Sequence, residues 1–307
     1  IILAFGDLLQ LPPIPSQDKD AKEFIDHNYN GSYWFFDAKA FDDDPPLNNI
    51  FTTIFPAIIS YSKRHKNSSF IHFLDMFRKG DVDDPELFNE IASKICNNLQ
   101  KKETTHLVTT NEKAKSINFS ELEKIDADNF LFEARTTGNW GDSSYPNDNQ
   151  INLKIGAEII FIKNDTDKDY FNGEKGVVES LNNNNVTIKK NKSDTIIVEF
   201  ATWEKIKYVY NSETNKLETE VIGTFSQLPL KLGWAITIHR SQGMTLDHVS
   251  IDLNMNFFAK SLIYVALSRV REFSDIYISN GNFNLDLFSL PDQRVIRFMK
   301  TFGFLNA

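Results

Sequence analysis

Three short strings in the 307-residue sequence carry side chains suited to handling phosphate. The first is Gly6-Asp7-Leu8-Leu9-Gln10-Leu11-Pro12-Pro13, which follows an apolar run from Ile1 to Phe5. An acid at the end of such a strand can hold magnesium at the carboxyl edge of a parallel sheet, where α/β sites lie. The same pattern also serves as an ordinary strand-to-turn junction. Gln10 offers both a donor and an acceptor. Just past a strand it can sense a terminal phosphate or orient an attacking water, and the prolines stiffen the loop that leaves it.

The second string is Trp234-Ala235-Ile236-Thr237-Ile238-His239-Arg240-Ser241-Gln242-Gly243-Met244-Thr245. Its apolar residues pack one side, while Thr237, His239, Ser241 and Gln242 offer short polar contacts. Gly243 lets backbone approach an anion closely. A single histidine here would suit a core position, but the combination T-x-H-x-S-Q-G is hard to explain by packing. The third string, Tyr264 to Arg271 (YVALSRVR), ends an apolar helix in arginines. They favour a helix C-terminus as solvent contacts, and Arg269 could equally reach a transferring phosphoryl group.

Periodicity supplies the elements that must position these residues. Phe70, Phe73, Leu74 and Phe77 mark one helix face, ended by Gly80. Leu87, Ile91, Ile95 and Leu99 mark another after Pro85. His106–Thr110 reads as a strand, and Asn111 as the cap of a helix through Ile117 and Leu122. Residues 16–50 read as a long polar excursion anchored by Tyr33-Trp34-Phe35-Phe36. Residues 136–150 are turn-rich. From 155 to 227, short β-rich runs between Asn/Gly/Asp turns predict a small antiparallel barrel, with Trp203 and Phe171 fitting its core better than a base-stacking role. After Pro229 the pattern predicts a helix over Leu230–Arg240 and a strand over Val249–Leu253. A helix over Ala259–Arg269, a strand over Asp275–Ser279 and a last helix over Pro291–Phe302 follow.

Composition excludes several classes. Hydrophobic residues are 41% of the chain, too many for a disordered protein. The single cysteine, Cys96, excludes an internal disulfide framework and a cysteine zinc site, so no metal ligands are assigned. A reducing, intracellular setting is expected, with nucleus and cytoplasm not distinguished. No apolar run reaches the roughly 18 residues of a membrane span. Net charge is −9, but it is uneven: residues 61–80 carry five Lys/Arg against one Asp, and 231–271 five against two. Such local basic charge suits either a solvated surface or a nucleic-acid partner.

Taken in order, GDLLQLPPI, WAITIHRSQGMTLD and YVALSRVRE resemble motifs III, V and VI of the Pif family of DNA helicases. These belong to the B branch of superfamily one, with RecD- and TraA-like relatives. The stretch from GAEIIFIKND to PLKLGWAITIHRSQG resembles that family's inserted Src-homology-3-like (SH3-like) barrel. The likeness implies an α/β fold of RecA-like P-loop motor cores, the first truncated and the second complete. Residues 1–50 would be the tail of the first core and 51–150 the first part of the second. Residues 151–228 would be the inserted barrel, and 229–307 the last part of the second core.

The resemblance also implies roles. Gln10 becomes the γ-phosphate sensor, and Arg64 and Arg269 become arginine fingers, although His65 stands where the family usually has Gln. Gly6, Asp7, Gln242 and Gly243 fall at nucleotide-linked positions. Thr109, Asn111, Thr237, His239 and Ser241 fall along the DNA path. The implied activity is ATP-dependent 5′–3′ unwinding by a monomer acting on single-stranded DNA and forks, in DNA repair, recombination and telomere maintenance. The alternative reading is a non-catalytic relic that binds DNA or protein, and the same core also occurs fused to a nuclease.

No G-x-x-x-x-G-K-[ST] occurs, and no acid pair of the Walker B kind precedes Gln10. In the family both precede motif III, so the chain reads as the back part of a helicase. ATP and Mg2+ would then be held mainly by the part before Ile1. The 307-residue polypeptide is expected to show no DNA-stimulated phosphate release from ATP, and clear turnover would contradict this.

Overall fold

A computed structural model describes residues 6–13, 15, 19–38, 62–101, 103–138, 140, 145–191, 194–211, 216–258, 261–288 and 290–301. The expected strand Ile1–Phe5 lies outside them. The chain forms two compact units, Ile1–Gln100 with Asp247–Ala307, and Lys101–Leu246. Among the described residues, no helix is long and apolar enough to cross a membrane.

In the first unit, α1 (Lys19–Tyr29) occupies part of the stretch expected to be an irregular excursion. The aromatic knot does act as an anchor. Phe36 stacks on Phe298 at 4.4 Å, and Trp34 shares a small core with Leu9, Val295 and Met299 of the last helix, α7 (Gln293–Thr301). Helix α2 (Ser68–Lys79) buries Phe70, Phe73, Leu74, Met76 and Phe77. Asn67 caps its start, accepting from Phe70 N at 3.0 Å, and Gly80 closes it with φ +72°.

Helix α3 (Pro85–Cys96) buries Phe88, Ile91, Ala92 and Ile95. The expected stripe is therefore shifted: Leu99 lies beyond the helix and is 85% exposed, while Phe88 turns inward against Phe73 and Phe77. Strands β13 (Val249–Asp252) and β14 (Ile276–Asn280) pair in parallel. Helix α6 (Leu262–Leu267) buries all its residues except Tyr264, which is half-buried.

In the second unit, β1 (Thr105–Val108) and β12 (Ala235–Thr237) pair in parallel. Helix α4 (Asn111–Glu123) lies against them, and its Asn118 amide bonds both the N–H and the carbonyl of Ala235 at 2.8 Å. Thr110, not Asn111, is the cap, its hydroxyl accepting from Lys113 N. A five-stranded antiparallel sheet follows the order β11 (Leu230–Leu232), β5 (Glu158–Phe161), β6 (Lys175–Leu181), β7 (Asn185–Asn191), β8 (Asp194–Glu199). A long ribbon of β9 (Ala201–Asn211) and β10 (Lys216–Gln227) adds β3 (Arg135–Gly138). A separate pair joins β2 (Phe130–Glu133) to β4 (Gln150–Leu153).

The helix expected over Leu230–Arg240 does not form. Residues Leu230–Leu232 pair with Phe161–Ile159, then β12 and a four-residue helix α5 (Ile238–Ser241) follow. Gly233 explains the break, because a Cβ there would lie 2.7 Å from the Ile159 carbonyl carbon. Only glycine lets the backbone pass, and the β-branched run beyond it favours strand. Phe171 is 54% exposed instead of in the core, and Trp203 is half-buried under Lys163, whose ammonium sits 4.9 Å from its ring.

Phe73 has no exposed surface and touches the rings of Phe77, Phe88 and Phe283. Truncating it leaves a cavity that the crowded rings cannot fill, so Phe73→Ala should cost about 3–5 kcal/mol in chemical denaturation. A loss under about 1 kcal/mol would mean this cluster is not the unit's core.

Candidate functional site

In the unit of Ile1–Gln100 and Asp247–Ala307, a cavity of about 300 Å³ is lined by Gln10, Lys63, Arg64, Arg78, Tyr264 and Arg269 among others. Asp75 is the carboxylate on its wall. Three residues chosen from separate parts of the sequence, Gln10, Arg64 and Arg269, thus share one space.

Each is placed by local chemistry. The Gly6–Gln10 turn closes on Asp7. Gln10 N donates to the Asp7 carbonyl at 3.1 Å, and Leu9 N donates to Asp7 Oδ1 at 3.1 Å. Leu9 is buried with Trp34, which pins the turn. Gly6 itself is exposed, with open space where a Cβ would stand.

Arg64 and Arg269 meet at the C-terminal end of α6, where helix carbonyls lack backbone partners. Arg64 Nη1 donates to Ser268 O at 2.6 Å. Arg269 Nε donates to Val265 O at 2.7 Å, and its Nη2 to Ser268 Oγ at 2.7 Å. Arg269 is only 2% exposed.

The cavity is short of negative charge. Burial, and then the charge of Arg64, pushes the Arg269 guanidinium down to about 10. Burial also lowers Arg64, and burial followed by Arg64 lowers His65. Tyr264 is pushed up to about 12 by burial and the nearby Asp7 carboxylate, so it stays a hydroxyl donor at neutral pH. Crowded, partly desolvated cations are costly without an anion beside them.

Sequence reasoning missed Arg78, Lys63, Asp75 and Tyr264. Arg78 follows the α2 stripe and looks like a solvent cation favoured at a helix end. Nothing in its spacing announces that its Nη2 reaches Asp7 Oδ1 at 3.2 Å, across 71 residues of sequence.

The second unit holds a groove of about 1030 Å³ whose lining includes Asn111, Lys115, Phe119, Tyr145, Lys231, Thr237 and Arg240. Thr237 is buried and caps α5, accepting from Arg240 N at 3.3 Å, which aims this turn at the groove. Lys231 and Lys115 approach Asp148 at 2.8 and 3.5 Å. Burial and the charge of Arg240 nonetheless hold Lys231 below its ordinary value. Phe119 is 64% and Tyr145 39% exposed, leaving aromatic faces beside these cations.

The other expected residues are placed differently. Thr109 is half-buried just past β1. His239 is half-buried, and burial lowers its pKa. Ser241 is fully buried, its hydroxyl donating to Ile238 O at 2.8 Å. Gln242 and Gly243 are exposed, and Gly243 adopts φ +85°. Among the described residues, no group of three or more His, Cys, Asp or Glu could hold a metal ion.

His65 gives a pH test. Its pKa lies below the ordinary 6.5, so the unfolded chain takes up a proton first on acidification. The stability of the neutral form is present above that value and lost as pH falls through the depressed one. His65→Gln is expected to shrink the drop in thermal midpoint between about pH 7 and pH 5. An unchanged drop would show that His65 titrates normally.

No family model matches the chain. It is 31% identical over 329 residues to the ATP-dependent DNA helicase Pif1 of Campylobacter jejuni, covering 99% of this chain and 69% of that protein. It is 28% identical to a Bacteroides Pif1 bound to single-stranded DNA, with a TM-score of 0.70, over 98% of this chain and 66% of that one. The same coverage and identity, with a TM-score of 0.71, hold for Bacteroides Pif1 in complex with ADP-AlF3 and single-stranded DNA. The chain thus spans about two thirds of the length of these relatives. With the arginine cavity, the motif strings and this likeness along nearly its whole length, the chain belongs to the Pif1 family of DNA helicases.

Proposed function

We propose that the chain is the DNA-tracking and phosphate-sensing portion of an ATP-driven DNA helicase. The observation that carries this is the cavity that gathers Gln10, Arg64 and Arg269. The donor set fits a terminal phosphoryl group. Guanidiniums present planar, always-charged forks matched to phosphate oxygens, and Arg78 Nε is buried with no hydrogen-bond partner among the described residues. Gln10 would orient the attacking water, and Arg64 and Arg269 would stabilise charge as it builds on the transferring oxygens.

The P-loop amides and lysine that cradle the other phosphates do not occur in this sequence. We assign them, with Mg2+, to the third of the relatives' length that the chain does not span. Magnesium there would neutralise phosphate charge, while the residues described here supply positioning and arginine donors. Residues 1–50 then belong to the end of a first RecA-like core, and 51–150 with 229–307 to a second. Residues 151–228 form an SH3-like insert, consistent with the antiparallel sheets seen there.

The groove of the second unit suits a single strand. Lys115, Lys231 and Arg240 would meet backbone phosphates, and Asn111 and Thr237 would add neutral hydrogen bonds. Phe119 and Tyr145 offer faces for unstacked bases. His239 reaches the strand only if it passes beside α5, and Ser241 supports the turn from beneath. Relatives solved with single-stranded and forked DNA agree with this class of partner.

Two measurements test the reading. Arg269→Ala in the full-length protein should lower DNA-stimulated ATP turnover by roughly 10³–10⁵ while leaving strand binding intact. A near-normal rate would remove the finger assignment. Anisotropy of labelled oligo-dT should show affinity falling with salt at a log–log slope of about −0.7 for each phosphate neutralised. That slope should be shallower in Arg240→Ala, and an unchanged slope would place the strand elsewhere.

A further inference from the structure

The carboxylate of Asp7 has no capacity left for a ligand. An ionised carboxylate offers about four lone-pair directions, and four donors occupy them. Oδ1 accepts from Leu9 N at 3.1 Å and Arg78 Nη2 at 3.2 Å. Oδ2 accepts from Gln10 Nε2 at 3.2 Å and Tyr264 Oη at 3.4 Å. These donors come from three places: the motif turn itself, the last turn of α2, and α6. Arg64 lies just before α2, and Arg269 just after α6.

We infer that Asp7 and Arg78 are a positioning pair, a clamp that ties the Gln10 turn to the two finger-bearing segments, and that Asp7 is not a metal or nucleotide ligand. The inference rests on the phosphate-site reading above and adds a residue, Arg78, that no motif marks.

The clamp solves a geometric problem. Gln10 sits on a turn held locally by hydrogen bonds to Asp7, and its side-chain amide needs holding as well. The bond to Asp7 Oδ2 restricts it. Asp7 is in turn fixed because Arg78 is itself held, its Nη1 donating to Asp75 Oδ1 at 3.4 Å one turn back on α2. Arg78 is 31% and Asp7 21% exposed, so the pair is only partly screened by water. Burial alone would lower the Arg78 pKa, but Asp7, Tyr264 and Asp75 together raise it. Arginine is the residue for this place, since its fork can address two carboxylates at once and a lysine point charge cannot. Tyr264 adds a neutral donor from α6. Any shift of α2 or α6 on phosphate binding would therefore be felt at Gln10.

The test is a double-mutant cycle on ATP turnover by the full-length protein at saturating single-stranded DNA, with the thermal midpoint as a check on folding. Arg78→Gln is expected to lower kcat about tenfold with little change in the KM for ATP, because the pair acts through the water-orienting residue. In a Gln10→Ala background the same substitution should lower kcat less than about twofold further, since the group it positions is gone. Equal losses in the two backgrounds would overturn the clamp. Arg78→Lys keeps the charge but cannot bridge Asp7 and Asp75 together, so it should recover only part of the rate; a folded Lys variant with fully normal kcat would also overturn the clamp. A Gln10→Ala enzyme with normal kcat would instead count against the phosphate-site reading itself.

Discussion

Gathering several arginines at one partly dehydrated place is the constraint on which the rest of the first unit depends. Arg64, Arg78 and Arg269 line the same small cavity, and like charges so placed repel. The fold offsets that repulsion with acceptors fixed beside each arginine. The last carbonyls of α6 hold Arg64 and Arg269, and Asp7 with Asp75 holds Arg78. Compensation is incomplete for Arg269, whose pKa is pushed down to about 10. Such a shortage of negative charge is what the proposed phosphate site needs, since fixed donors accelerate phosphoryl transfer where anionic charge grows during reaction.

The surrounding packing follows from that need. Short α6 is buried on nearly every side, which fixes the end that carries Arg269 and offers Ser268 O to Arg64. Helix α2 carries the aromatic face that roots it in Phe88, Phe283 and Phe288, and its polar last turn brings Arg78 to Asp7. Leu9 is driven into the core beside Trp34, so that the next residue, Gln10, turns to the cavity. In the second unit a similar logic holds on a larger scale. A buried Thr237 caps α5, and Asn118 fixes α4 to β12, so the groove's polar floor is set by interior bonds while its cations and aromatic faces stay accessible.

How much of this was legible in the sequence depended on range. Helix α2 was readable because its phenylalanines recur at helical spacing and Gly80 ends it. The turn at Gly233 was misread as helix because what forbids the helix is a distant backbone, that of Ile159. Helix α1 is hard to read from sequence because its apolar residues are few among charged ones and Phe24 stays 57% exposed. Among site residues, Gln10, Arg64 and Arg269 could be picked out from short strings that resemble helicase motifs. Arg78 could not, because its meaning lies in a contact with Asp7 that only the folded chain creates. Asp7 follows an apolar run, which suits a magnesium carboxylate or an ordinary turn, and the helicase resemblance adds a nucleotide link; the sequence does not show the four hydrogen bonds that Asp7 accepts in the fold. Phe119 and Tyr145 carried no motif, and their interest comes from exposure beside Lys115 and Arg240.

The most direct measurement is a crystal structure of the full-length protein with ADP and aluminium fluoride, read at the fluoride's ligands. The account predicts the guanidiniums of Arg64 and Arg269 within about 3 Å of the fluoride atoms, with the Gln10 amide beside the attacking water. Fluoride bound with these three side chains turned away from it would contradict the central claim.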